Sequence, residues 1–196
     1  VKINGVEQKL ESKDVRFEQF LTTLNHTLGI SNQVISSIKI DGKELSEAEE
    51  NGLKQLPIEK IGIIEIFTST PADLAYETLD TLEQYLERLA GNIIRAAELY
   101  KRKQFVTADT YFAKSIDGLD LFVQSIGGVK LALRVGLKPR LQLIEAALVS
   151  TVSDLLSAKR QNNYVFLAEL LEKDLIQNLI EWKEEGFKIL RAHATV

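Results

Sequence analysis

Ile61-Gly62-Ile63-Ile64-Glu65-Ile66-Phe67-Thr68-Ser69-Thr70-Pro71-Ala72-Asp73 is where the chain changes character. The run from Ile61 to Phe67 is rich in isoleucine, the composition of a strand. Thr70 then offers the side chain of a helix N-cap. Pro71 suits the first helical turn, where the N–H it lacks would be unpaired anyway, and Asp73 completes an acidic variant of the capping box. A strand that runs straight into a helix start predicts a boundary, giving domains 1–69 and 70–196.

N-terminal to that boundary the pattern is α+β. Val1–Ile3 and Val6–Gln8 flank Asn4-Gly5, a dipeptide that tolerates the positive φ angles of a type I′ hairpin turn. From Asp14 the period lengthens: Phe17, Phe20, Leu21, Leu24 and Leu28 share one helical face, and Gly29 is expected to supply a left-handed C-terminal cap. Val34 to Ile40 reads as a strand, Asp41-Gly42 as a second turn, and Ser46 as the start of a short helix ending before Pro57.

C-terminal to the boundary the pattern is helical. Ala75, Leu79, Leu82, Leu86, Leu89, Ile93, Ala97 and Tyr100 form a seam spaced by three or four residues along a helix reaching Lys101. A second stripe, Ala108, Phe112, Ser115, Leu119, Phe122 and Ile126, is expected to end at Gly127-Gly128. A third begins after Pro139 with Leu141, Ile144, Leu148, Val152 and Leu155, and Lys159-Arg160 fall at its dipole-favoured end. Asn162 or Asn163 caps the fourth, whose stripe is Ala168, Leu171, Leu175, Leu179, Trp182, Gly186 and Ile189. Such segments predict an antiparallel four-helix bundle. Val129 to Val135 alternates, so a strand or extended segment competes there with a short helix.

Two resemblances follow. Over residues 1–68 the order of elements, with Ile38-Lys39-Ile40-Asp41-Gly42-Lys43-Glu44-Leu45, resembles the ubiquitin-like β-grasp fold. No diglycine tail follows the last strand, so the resemblance implies a docking scaffold and not conjugation. The helical half is similar to the flagellin export chaperone family, of the FliS type. Its landmarks are Thr70-Pro71, Ala96-Ala97, Lys103-Gln104-Phe105, Gly127-Gly128 and Leu179 through Trp182-Lys183-Glu184. Where that family has a tyrosine-rich third helix this chain has Leu143-Ile144-Glu145-Ala146-Ala147-Leu148, and residues 129–140 look like an insertion. The resemblance implies a chaperone or adaptor surface that holds a partner segment.

Composition narrows the chemistry. A net charge of −4 across 196 residues gives no electrostatic basis for binding nucleic acid or an anionic membrane. With no Cys there is no thiolate metal site, disulfide or cysteine nucleophile, and two histidines cannot form a three-histidine metal site. His26 is expected to face solvent and His193 to lie in a fraying terminus. The carboxylate pairs Asp117/Asp120 and Glu169/Glu172 read as solvated helix faces. Tyr76, Tyr85 and Tyr164 fit the stripes less well and could rim a partner groove. Neither a run of about 20 apolar residues nor a signal-like N-terminus is read, and a cytoplasmic protein is expected.

One charge feature stands out. Between Asp120 and Glu145 there is no acid, while Lys130, Arg134, Lys138 and Arg140 occur. Two readings fit: cations solvating a connection whose stems cover apolar surface, or a contact for an acidic partner segment. The sequence therefore predicts a non-enzymatic protein-interaction protein with no cofactor and no metal, of the export-chaperone or adaptor kind, binding another protein or peptide segment. The alternatives are a structural homo-oligomerisation subunit and a small-ligand-binding protein with its site at the domain junction.

Overall fold

The structure, a computed structural model, describes residues 1–8 and 15–192 and is α+β. It divides into two compact units, Val1–Leu74 and Ala75–Val196. His193 and Asp14 lie outside the described residues.

The first unit is a mixed sheet with two helices. Strands β1 (Lys2–Ile3) and β2 (Val6–Glu7) pair antiparallel through Asn4-Gly5, whose φ angles of 49° and 80° are those of the expected hairpin turn. Helix α1 (Phe17–Ile30) leads to β3 (Val34–Ile40), which turns at Asp41-Gly42 (φ 51° and 80°) into β4 (Lys43–Glu44). Helix α2 (Glu47–Leu53) opens with Ser46 and Glu49 in a complete capping box. After a short 3-10 turn, Ile58–Lys60, β5 (Ile64–Ser69) pairs parallel with β1 and antiparallel with β3, giving the order β2-β1-β5-β3-β4. Phe17 and Leu21 from α1 bury against Ile38, Ile64 and Ile66 of the sheet and Ile58 and Ile61 of the connection. Main-chain carbonyls of Leu56 and Lys54 accept the first N–H groups of α1, at Phe17 and Glu18, so that helix needs no side-chain cap.

The second unit is helical. Helix α3 (Pro71–Lys101) starts where the cap residues predict, with Thr70 Oγ1 accepting the Asp73 N–H at 3.0 Å. Helices α4 (Phe105–Ala132) and α5 (Pro139–Arg160) follow. A last run begins after Asn163, whose Oδ1 accepts from the Phe166 N–H. It passes through α6 (Tyr164–Glu169), a π-helical turn at Leu170–Leu175, α7 (Ile176–Glu181), a second π turn at Trp182–Gly186, and α8 (Phe187–Arg191). The predicted stripes form one core in which Phe122 meets Trp182 edge-on, with ring centroids 5.2 Å apart. Gly186 lies under the Trp182 ring, where a Cβ would collide. At Gly118 a Cβ would come within 2.7 Å of Tyr85 Oη, so the approach of α3 to α4 depends on that glycine.

Three expectations need correction. Gly29 is not the cap of α1: it lies inside the helix, and Asn32 (φ 53°) takes the left-handed position. Gly127-Gly128 do not end α4, which continues to Ala132 because Val129, 2% exposed, is drawn into the core. The stretch from Val129 is thus helix and not strand, and it stops at Arg134 (φ 52°). There the Arg134 N–H donates to Leu131 O (3.1 Å) and the Val135 N–H to Lys130 O (2.9 Å), a Schellman ending. Lys103 and Asn162 close α3 and α5 in the same way. Finally, α5 is, by length and composition, apolar enough to cross a membrane, although no such stretch was read in the sequence. One face of it, Leu141, Ile144, Leu148 and Leu155, is buried in the core, yet only 33% of its most apolar window is buried.

Candidate partner-binding surface

The four cations of the acid-free interval do not form one open basic patch. Lys130 Nζ lies 2.6 Å from Glu145 Oε1, and Arg140 grips Glu185 with Nε at 2.6 Å and Nη2 at 3.0 Å, with Glu181 at 3.9 Å. Hydrogen bonding from Arg140 holds the Glu185 carboxyl below its ordinary value, and Glu185 in turn raises the Arg140 guanidinium. Arg134 occupies the left-handed stop of α4. Lys138 takes the N-cap position of α5 without a side-chain cap and lines, with Lys130, Leu137, Leu141 and Glu145, a concavity of about 310 Å³. Acids absent from the interval in sequence thus reach two of its cations from α5 and the last helical run.

An exposed apolar surface lies between α4 and α5. A groove of about 410 Å³ has Leu119 and Leu148 at its floor, Ile116 and Val152 half-buried on its walls, and Val123 and Val149 exposed at its lips, by 48% and 65%. Ile116 and Val123 are seven residues apart on α4, so the apolar lining follows the helix for about two turns, roughly 10 Å. Leu143 and Leu156 add exposed apolar surface on α5, and Leu121 on α4. The polar groups lining the groove are two acids of α4, Asp117 and Asp120, both exposed. Asp120 accepts a hydrogen bond from Gln124 (2.7 Å). The pair read as a solvated helix face therefore stands at the edge of an apolar cleft.

At one end of this unit a polar and aromatic cluster joins four helix termini. The Tyr100 hydroxyl at the end of α3 donates to Asp109 Oδ1 of α4 (2.6 Å), and Lys159 Nζ at the end of α5 reaches the same oxygen (2.5 Å). Lys159 also sits over the rings of Tyr100 (5.6 Å) and Tyr164 (5.1 Å), and Tyr164 stacks on Phe105 at 4.3 Å. Burial, reinforced by the Asp109 charge, pushes the Tyr100 hydroxyl far above its ordinary value. Partial burial works to raise the Asp109 carboxyl, but hydrogen bonds from Lys159 and Tyr100 outweigh it and the net shift is downward. Each polar group is matched by another, which makes the cluster a latch between helix ends. The adjoining concavity of about 400 Å³ carries charges of both signs, Lys101, Lys103 and Glu169.

The remaining candidates are dispersed. His26 is exposed on α1. Glu172 pairs with Lys101 of α3. Tyr76, Tyr85 and Tyr164 are half-buried against the helical core, and none of them lines the α4–α5 groove. Among the described residues no three acid or imidazole groups converge as metal ligands would. What the sequence reading missed is the groove. Its one local signal was apolar surplus beside the core stripes, Ile116 and Val123 on α4 and Val149 on α5.

The molecule is thus a mixed-sheet unit followed by a helical unit with an apolar, acid-edged cleft. The chain belongs to the family described as a domain of unknown function (DUF8042), whose model matches residues 77–185. Residues 1–70 are similar to the TP0873 N-terminal domain. No curated protein and no solved structure matches the chain.

Proposed function

We propose that the protein is a non-enzymatic protein-interaction protein that holds a helical segment of a partner in the α4–α5 groove, in the manner of an export-type chaperone or adaptor. The observation that carries this reading is the groove itself: two turns of apolar lining whose lips, Val123 and Val149, remain exposed. Scattered single apolar residues on a surface need no explanation, whereas a contiguous cleft with a polar edge is the form that helix-in-groove recognition takes. The four helical runs sharing one core support reading the second unit as an antiparallel four-helix bundle, on which such a cleft lies between neighbouring helices. The strand order β2-β1-β5-β3-β4 with α1 on the sheet supports a β-grasp reading of the first unit as a scaffold. The similarity to flagellin export chaperones points the same way, toward a bundle surface that holds a partner segment.

Site-specific photo-cross-linking tests the proposal. A photoreactive residue at Val149, with one at Leu137 as the control position, is expressed in the native host and the cross-linked peptide is sequenced. The expected result is one recurrent segment at Val149, with apolar residues at helical spacing, that is missing at Leu137. A cross-link to a second copy of the chain would support the structural-subunit alternative, and labelling restricted to Leu137 would move the site to the basic interval.

A further inference from the structure

Taking the proposed function as its premise, we infer that the α4–α5 groove selects a basic partner helix: an amphipathic segment whose apolar stripe fills the cleft and whose lysines or arginines meet Asp117 and Asp120. Charge complementarity favours such a partner. Three other concavities carry both signs of charge: Lys130, Lys138 and Glu145 in one, Lys101, Lys103 and Glu169 in another, Lys43, Glu44 and Glu49 in a third. The α4–α5 groove carries acids alone. Among the described residues no cation pairs with Asp117 or Asp120, whereas elsewhere on this unit acids such as Glu87, Glu145 and Glu185 are held by Lys183, Lys130 and Arg140.

Both acids lie on α4, three residues apart and so on one face of the helix, along one edge of the cleft. A helix laid in the groove would bring the residues flanking its apolar stripe against that edge. A glutamate there would meet like charge as its water is stripped away, while a lysine or arginine would be steered in and retained. The Val123 and Val149 lips fix the second requirement, aliphatic side chains repeating over about two turns. The selected partner is therefore the opposite in charge of the acidic segment that the basic interval suggested.

The test uses the full chain and two synthetic peptides of about four helical turns. They share one leucine stripe and differ only in flanking residues, all lysine in one and all glutamate in its twin. Fluorescence anisotropy at low salt is expected to show the lysine peptide binding at least about tenfold more tightly, with the gap closing as salt screens the charges. Asp117→Lys combined with Asp120→Lys should erase that preference. Glu77→Lys with Glu184→Lys, which changes net charge equally away from the groove, should preserve it. If the reversed pair disturbs folding, Asp117→Asn with Asp120→Asn keeps the test intact and should remove most of the preference.

Equal binding of the twins, or a preference that survives both groove variants, overturns the inference. If the twins bind equally and Val149→Asp abolishes both, the groove is a docking site without charge selection, and the proposed function stands while this inference fails. If neither twin binds, the basic-helix assignment is wrong, and cross-linking at Val149 decides the proposed function on its own. Concentration-dependent self-association that Val149→Asp removes would assign the groove to a second copy and overturn the inference as well.

Discussion

The basic interval around residues 130–140 and the groove between α4 and α5 are neighbours on the same two helices, and they differ in what their side chains have left to offer. The interval is conspicuous in sequence, with four cations and no acid, yet Lys130 and Arg140 are matched by Glu145 and by Glu185 with Glu181. The groove is inconspicuous, built of ordinary aliphatic residues and two aspartates, yet its lips remain uncovered. Charge density along a chain thus does not report the charge left over once the fold has matched its own groups.

The largest expected effect separates the floor of the groove from its lips. Leu148 is buried in the core, so Leu148→Ala should destabilise the protein by about 2–5 kcal/mol. Val149, one residue on, is exposed, and Val149→Ala should change stability by less than about 0.5 kcal/mol. Chemical denaturation of the two variants measures this directly. A comparable cost at both positions would mean that Val149 is packed and not available to a partner.

Next in size is the end of α4. Arg134 holds a left-handed conformation that glycine adopts freely, so Arg134→Gly should raise stability by about 0.5–1 kcal/mol. A loss instead would mean that the arginine side chain contributes more than its backbone strain costs. The ion pairs of the interval should matter less: a double-mutant cycle on Arg140 and Glu185, each about half exposed, should give a coupling smaller than the gain at Arg134→Gly. A coupling several times larger would turn the interval from a matched surface into a main support of the fold.

The smallest effect concerns pH. Asp109 titrates below its ordinary 3.8, so the unfolded chain takes up that proton first as pH falls. Its contribution is present above about pH 4 and is lost as pH drops through the folded value. Thermal melts across the acid range should show a shallower decline for Asp109→Asn than for the native chain, and parallel curves would contradict the latch.

Much of the fold was legible because local chemistry decided it. Asn4-Gly5 and Asp41-Gly42 could only favour turns with positive φ, and the stripes on α3, α4 and α5 marked their buried faces. The ends of α3 at Lys101 and α5 at Arg160 fell where the sequence put them, but those of α1 and α4 were misread because glycine signals only permission to adopt a left-handed conformation. Burial of Val129 carried α4 past two glycines, and the stops fell on Asn32, Lys103, Arg134 and Asn162, where no glycine advertised them. The ion pairs joining Lys130 to Glu145 and Arg140 to Glu185 span 15 and 45 residues, beyond the reach of any helical period. The groove was hidden for the same reason, since it exists only once α4 lies beside α5.

The most direct test of the account compares the two regions with one ligand. The segment identified by cross-linking, made as a synthetic peptide, is titrated against the native chain, against Val123→Asp with Val149→Asp, and against Lys130→Ala with Arg140→Ala. The groove variant should lose at least about tenfold in affinity while the interval variant stays within about twofold of native. The reverse pattern, with binding retained at an altered groove and lost with the two cations, would contradict it.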